Sequence, residues 1–125
     1  MICGIGFDIV EVQRIEKQIA GKKDRFFALI FTEKEIKYCE GKINKAENYA
    51  VRFAAKEALL KALGTGMRDG LRWTEIEIAN NKFGRPEINC SGVCQKKVTL
   101  MGIKNIHVSL SHTKDYGAAT VILEK

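Results

Sequence analysis

Asp8, Glu57 and Lys61 put two carboxylates and an ammonium in a pattern fit for cation binding or proton transfer. Asp8 sits in a short apolar run, Ile2 to Val10, where alternation puts it on one face with Gly4 and Gly6. With no side chains at those glycines, that face leaves room for a ligand to reach the carboxylate and the backbone together. A carboxylate in such surroundings needs compensation, which a metal ion, an ion pair or strand-end hydrogen bonds could each supply. Phe53, Glu57 and Lys61 follow at intervals of four, so they share nearly one face of a helix. Alone, a Glu to Lys pair at that spacing is an ordinary solvated pair contributing a few tenths of a kcal/mol. Its neighbours Ala54, Ala55, Ala58, Leu59 and Leu60 instead imply a largely buried helix. Two carboxylates from separate elements with a lysine nearby suit Mg²⁺, which keeps several waters and is held by one or two carboxylates plus substrate phosphate oxygens.

Other candidate patterns are less specific. Gly4 and Gly6 begin a GxG, but Ile9 stands where a dinucleotide-binding fingerprint needs its third glycine. Gly64, Thr65 and Gly66 follow a helix rather than a strand and lack the Gly-Lys-Ser/Thr ending of a P-loop, so a helix stop and turn is the default, with phosphate contact by their amides the alternative. Ser109, Ser111, His112, Thr113 and Lys114 gather hydroxyls, an imidazole and an ammonium at a strand-to-turn transition, which suits a phosphate as well as a polar hairpin end. A serine-histidine nucleophile is disfavoured, because adjacent strand residues point to opposite faces. With only His107 and His112, a transition-metal site is unconvincing.

The elements that must position these groups follow from periodicity. After the Ile2 to Val10 strand, Val12, Ile15 and Ile19 recur at helical spacing, with Gly21 as a stop. Thr32 and Glu35 form a capping box opening a short helix that stops at Gly41. A long helix runs from about Ala46 to Leu63, with Gly64 beyond its end. A hairpin follows: alternation through Glu75, Ile76, Glu77 and Ile78, a turn at Asn80 and Asn81, and a second strand through Ile88 to Cys90. Val93, Val98 and Met101 predict one more helix ending at Gly102, and Ile106 to Leu110 with Ala118 to Leu123 a second hairpin around Thr113 to Gly117. The sum is α+β, a mainly antiparallel sheet packed with a long central helix, in a single domain spanning 1–125.

Composition narrows the function classes. The 125 residues are 46% hydrophobic, with one proline and no biased run, as expected of a folded domain. A net charge of +6 favours an anionic partner, and ordinary solubility accounts for it equally well. Cys3, Cys39, Cys90 and Cys94 lack regular spacing and are expected as buried free thiols; Cys90 and Cys94 have no matching pair for a zinc site. No apolar run approaches a membrane span, and a cytoplasmic location is expected. A basic nucleic-acid module using Arg14, Lys17, Lys22, Lys23 and Arg25 has charge but no interleaved stacking aromatics, and Phe26 and Phe27 fit a core better.

Four stretches together resemble a known family, the holo-acyl-carrier-protein synthases, the small bacterial type of 4′-phosphopantetheinyl transferase. They are Gly4-Ile5-Gly6-Phe7-Asp8-Ile9-Val10-Glu11, Arg52-Phe53-Ala54-Ala55-Lys56-Glu57-Ala58-Leu59-Leu60-Lys61-Ala62, Gly84-Arg85-Pro86, and Ser109-Leu110-Ser111-His112-Thr113. The resemblance runs end to end, and the second stretch is highly specific. Phe7 departs from it, standing where a smaller or aliphatic residue is usual, on the face away from Asp8.

The resemblance implies the 4′-phosphopantetheinyl transferase fold and Mg²⁺-dependent transfer of phosphopantetheine from coenzyme A to a serine of apo acyl carrier protein, releasing adenosine 3′,5′-bisphosphate, in support of fatty acid biosynthesis. It implies Asp8 and Glu57 as Mg²⁺ ligands and Lys61 as a phosphate contact or proton-transfer aid. Arg52, Gly64, Gly66, Arg85, Pro86, Ser111, His112 and Thr113 would bind coenzyme A, with Arg52 and His112 at its 3′-phosphate. Arg14, Lys22 and Arg25 would meet acidic carrier residues. A homotrimer with sites between subunits is implied as well, with neither nucleic acid nor membrane as partner. The intact Asp8, Glu57 and Lys61 set argues against a relative that keeps the fold only to bind a carrier.

Overall fold

The computed structural model describes residues 1–21 and 24–125; Lys22, expected at the carrier surface, and Lys23 lie outside them. In chain order the elements are β1 (Ile2–Glu11), α1 (Val12–Ala20), α2 (Asp24–Ile30), α3 (Glu33–Glu40) and α4 (Lys45–Leu63), then a 3-10 turn (Trp73–Glu75). They continue with β2 (Ile76–Asn80), β3 (Pro86–Cys90), α5 (Gly92–Leu100), β4 (Asn105–His112) and β5 (Tyr116–Glu124). The α+β expectation holds, with the strands divided between an antiparallel sheet of order β1-β5-β4 and the β2-β3 hairpin. Helix α4 packs on β1 and β5, and their inward faces form the core with Val10, Ala54, Ala58, Leu59, Val121 and Leu123.

Alternation along β1 is as expected. Gly6 and Val10 are buried, whereas Ile5, Phe7 and Ile9 on the opposite face are each more than half exposed. On α4, every residue from Asn48 to Leu63 is buried except Phe53, Glu57 and Lys61. The four-residue spacing thus marks the helix's one open stripe.

The capping box at α3 forms and does more than cap. Thr32 Oγ1 accepts from the Glu35 amide, and Glu35 Oε1 accepts from the Thr32 amide. Glu35 Oε2 also accepts from the Ile78 amide of β2, and Oε1 accepts from Lys56 Nζ at 2.7 Å. Lys56 is fully buried and donates to the Ile30 and Trp73 carbonyls as well, so one ammonium fastens α2, α3, α4 and the 3-10 turn. Burial pulls its pKa down, and the Glu35 carboxylate opposes that.

Some expectations change. Phe26 and Phe27 do pack against the core, but on a helix, α2, that their sequence did not announce. Glu75 closes the 3-10 turn instead of starting a strand; its carboxylate accepts from the Arg72 and Val93 amides and anchors the first turn of α5. All four cysteines are free; Cys39 and Cys94 are buried, whereas Cys3 and Cys90 are only half-buried.

Candidate active site

The glycines beside Asp8 serve packing, which corrects the expectation that they leave room for a ligand. A Cβ on Gly6 would collide with the Ala58 carbonyl, and one on Gly4 with that of Ala62. Their absence lets α4 lie directly on β1, backbone against backbone. That approach brings Asp8 to the open stripe of the helix. Lys61 Nζ donates to Asp8 Oδ1 at 2.8 Å and to the Phe7 carbonyl at 3.1 Å. Glu57, one turn earlier, is half-buried, and its pKa is raised first by burial and then by the Asp8 charge, with Lys61 and Arg14 opposing. The hydrogen bond to Asp8 holds the Lys61 ammonium above its ordinary range.

Asp8 and Glu57 repel each other beside a cleft that Glu57 lines, and such a pair suits a cation, a part that the Lys61 ammonium takes here. No group of three or more His, Cys, Asp or Glu is placed to hold a metal among the described residues. A sparse, all-oxygen pair suits Mg²⁺, which draws its other ligands from water and phosphate. Asp8 and Glu57 therefore fit that ion.

Beyond Glu57 and Lys61, a cleft of about 500 Å³ continues past Gly64, Gly66 and Met67, with Leu60 and Trp73 as its apolar wall. A second cleft, of about 510 Å³, gathers Arg52, Arg85, Pro86, Ser109 and His112 with Tyr38, Asn48 and Asn80. Arg52 is buried, with Nη2 donating to Asn80 Oδ1 at 2.7 Å and Nε lacking a partner. A buried, unpaired guanidinium donor in the wall of a cleft suits an anion. His112 Nδ1 stands 2.7 Å from Glu47 Oε1, which fixes the ring at the rim.

Apart from Ser111 and Thr113, the coenzyme A residues expected from sequence divide between two clefts with no lining residue in common. Arg52 and Glu57 are five positions apart, roughly 140° around the helix axis, so α4 presents them in different directions. Ser111 is exposed and lines neither cleft, and Thr113 Oγ1 accepts from the Asp115 and Tyr116 amides, closing the β4–β5 turn. Lys114 lines a separate depression with Glu11, Glu16 and Asp115. Arg14 on α1 and Arg25 on α2 are exposed, and the charge of Arg14 reaches Glu57. Tyr38 carries no sequence signal for this site, and Asn80 reads there only as a turn residue, because nothing local ties either to Arg52.

The fold agrees with what the chain is similar to. It belongs to the 4′-phosphopantetheinyl transferase superfamily, whose family model matches residues 4–121. Within it the relatives are named holo-acyl-carrier-protein synthase. That of Solibacter usitatus is 48% identical over 124 residues, 99% of each chain, and that of Geobacter metallireducens 42% identical over 125, covering 100% of this chain and 99% of that one. The crystal structure of the Neisseria meningitidis synthase superposes with a TM-score of 0.90 at 34% identity, covering 100% of both chains. The Helicobacter pylori synthase, solved in complex with coenzyme A, gives 0.83 at 32% identity over 96% of this chain and 99% of that one. The chain is accordingly an enzyme of the phosphopantetheinyl transferase class. None of its helices, among the described residues, is long and apolar enough to cross a membrane.

Proposed function

We propose that the chain, a single transferase domain over 1–125, moves the 4′-phosphopantetheine of coenzyme A onto a serine of an acidic apo acyl carrier protein in the cytoplasm, for fatty acid biosynthesis. The observation that carries this reading is the pairing of the Asp8 and Glu57 carboxylates, beside one cleft, with a separate cationic cleft on the same helix. Asp8 and Glu57 would hold Mg²⁺, which when bound neutralises charge on the pyrophosphate and lets it be attacked. Lys61 then adds a donor where charge develops on the transferring group. Gly64 and Gly66 line the path beyond it, and Arg52, Arg85 and His112 hold the 3′-phosphate, with Pro86 against the adenosine.

The serine oxygen bonds to the pantetheine-side phosphorus, the bond from that phosphorus to the bridging oxygen breaks, and adenosine 3′,5′-bisphosphate leaves. The serine proton passes to Glu57 or to a water that Asp8 and Glu57 orient. Arg14 and Arg25, exposed on consecutive helices, face the acidic carrier.

One coenzyme A would join the Glu57–Lys61 cleft of one chain to the cationic cleft of its neighbour in a homotrimer. The division of the site and the exposed Ile5, Phe7 and Ile9 on the outer face of β1 support that assembly. Apo carrier protein incubated with coenzyme A and Mg²⁺ gains one phosphopantetheine by intact-mass measurement, and excess chelator abolishes the gain. No mass change with several apo carriers would overturn the proposal, and transfer that survives chelation would remove the metal from it.

A further inference from the structure

Arg52 is held on two sides by residues outside the expected site. Its guanidinium carbon lies 4.0 Å from the centroid of the Tyr38 ring, over the face of the ring. Lys42 Nζ is 4.7 Å from the same centroid, so the ring serves two cations at the rim of the cationic cleft. On its edge, Arg52 donates to Asn80 Oδ1, while Asn80 Nδ2 donates to the Gly84 carbonyl at 2.9 Å. That carbonyl precedes Arg85 in a turn built by Asn81, whose Oδ1 accepts from the Phe83 and Arg85 amides. Gly84 has φ +82°, a conformation that favours glycine. The Asn80 amide thus ties one arginine to the loop that carries the other.

A long arginine side chain otherwise samples many rotamers, and freezing it only when ligand arrives weakens binding. Here the plane is set beforehand by a ring and an amide, and its buried Nε keeps a free donor. Tyr38 reaches the cleft from α3, and Asn80 from the end of β2. Neither needs to touch the ligand to act.

We infer that Tyr38 and Asn80 are positioning residues that pre-set Arg52, and through Gly84 the Arg85 turn, for the 3′-phosphate of coenzyme A. This rests on the proposed function, and the measurements keep the two apart. Calorimetric titration of the whole chain compares coenzyme A with dephospho-coenzyme A, which lacks that phosphate. Tyr38→Leu is expected to weaken coenzyme A about tenfold, the scale of a partly desolvated cation–π contact, while leaving dephospho-coenzyme A within about twofold. Tyr38→Phe, which keeps the ring face, restores binding. Asn80→Ala weakens coenzyme A about fivefold, the scale of one ordinary net hydrogen bond, because Asn80 acts through Arg52 and not on the ligand. In the transfer assay both losses fall on KM for coenzyme A and not on kcat.

Coenzyme A binding by Tyr38→Leu at wild-type strength, or equal loss for both ligands, overturns the inference and leaves the proposed function standing. A wild-type chain that binds neither ligand and transfers nothing defeats the proposed function itself. If Tyr38→Leu does not fold, Asn80→Ala decides by the same comparison.

Discussion

Helix α4 carries two lysines that each hold a carboxylate at nearly the same distance, Lys56 with Glu35 at 2.7 Å and Lys61 with Asp8 at 2.8 Å. The first pair has no exposed side-chain surface, whereas the Lys61 side chain is 55% exposed and that of Asp8 13%. The buried ammonium spends three hydrogen bonds on three different segments. The outer one holds the carboxylate proposed above as a metal ligand, and most of its own side chain is open to solvent. Distance and residue type do not separate a structural ion pair from a functional one; the surroundings of each pair do.

The sharpest way to break this contrast is to remove each lysine. Lys56→Ala leaves Glu35 buried without its counter-ion and should cost about 3–5 kcal/mol of stability. A denaturation midpoint unchanged from wild type would show that the inner pair is not structural. Asp8→Asn should do the reverse: transfer falls about 10²–10³-fold, the scale for losing one electrostatic stabiliser, while stability moves by no more than about 1 kcal/mol. Urea melts beside single-turnover assays read both. Lys61→Ala is expected to cost about ten- to a hundredfold in kcat/KM, as for one charge-assisted hydrogen bond, again with little change in stability.

Glu57, beside the outer pair, gives a smaller effect that depends on pH. The Glu57 carboxyl is held above its ordinary pKa, so the folded chain binds its proton more tightly than the unfolded chain does. Its contribution is therefore full below the ordinary glutamate range and is lost as pH rises through the elevated folded pKa. Glu57→Gln, melted in chelator, should exceed wild type in Tm near neutrality, and the gap should close on acidification. A gap that stays constant with pH would mean that Glu57 feels neither burial nor Asp8.

Much of this was legible in the sequence wherever the signal was local. The β1 alternation, the capping box at Thr32 and Glu35 and the open stripe of α4 are all short-range patterns, and the chain adopts them; the turn expected at Asn80 and Asn81 begins at Asn81, with Asn80 the last residue of β2. Helix α2 is seven residues long, too short for its period to show, and its adjacent Phe26 and Phe27 obscure what period there is. The role of Gly4 and Gly6 was misjudged because an empty strand face offers itself equally to a ligand or to a helix backbone. Lys56 carried a usable signal: it lies off the Phe53, Glu57 and Lys61 stripe and so had to fall in the buried arc. Its partner Glu35, and the Tyr38 and Asn80 supports of Arg52, come from segments that only tertiary structure brings near.

Gly4 and Gly6 lie directly against the Ala62 and Ala58 carbonyls. That contact makes main chain, rather than interdigitated side chains, the ruler that sets how far Asp8 stands from Glu57. Substitutions among Leu59, Leu63, Val121 and Leu123 can therefore alter how long the protein survives heat while leaving that gauge untouched. One methyl group added at Gly6 would pry strand from helix and reset it.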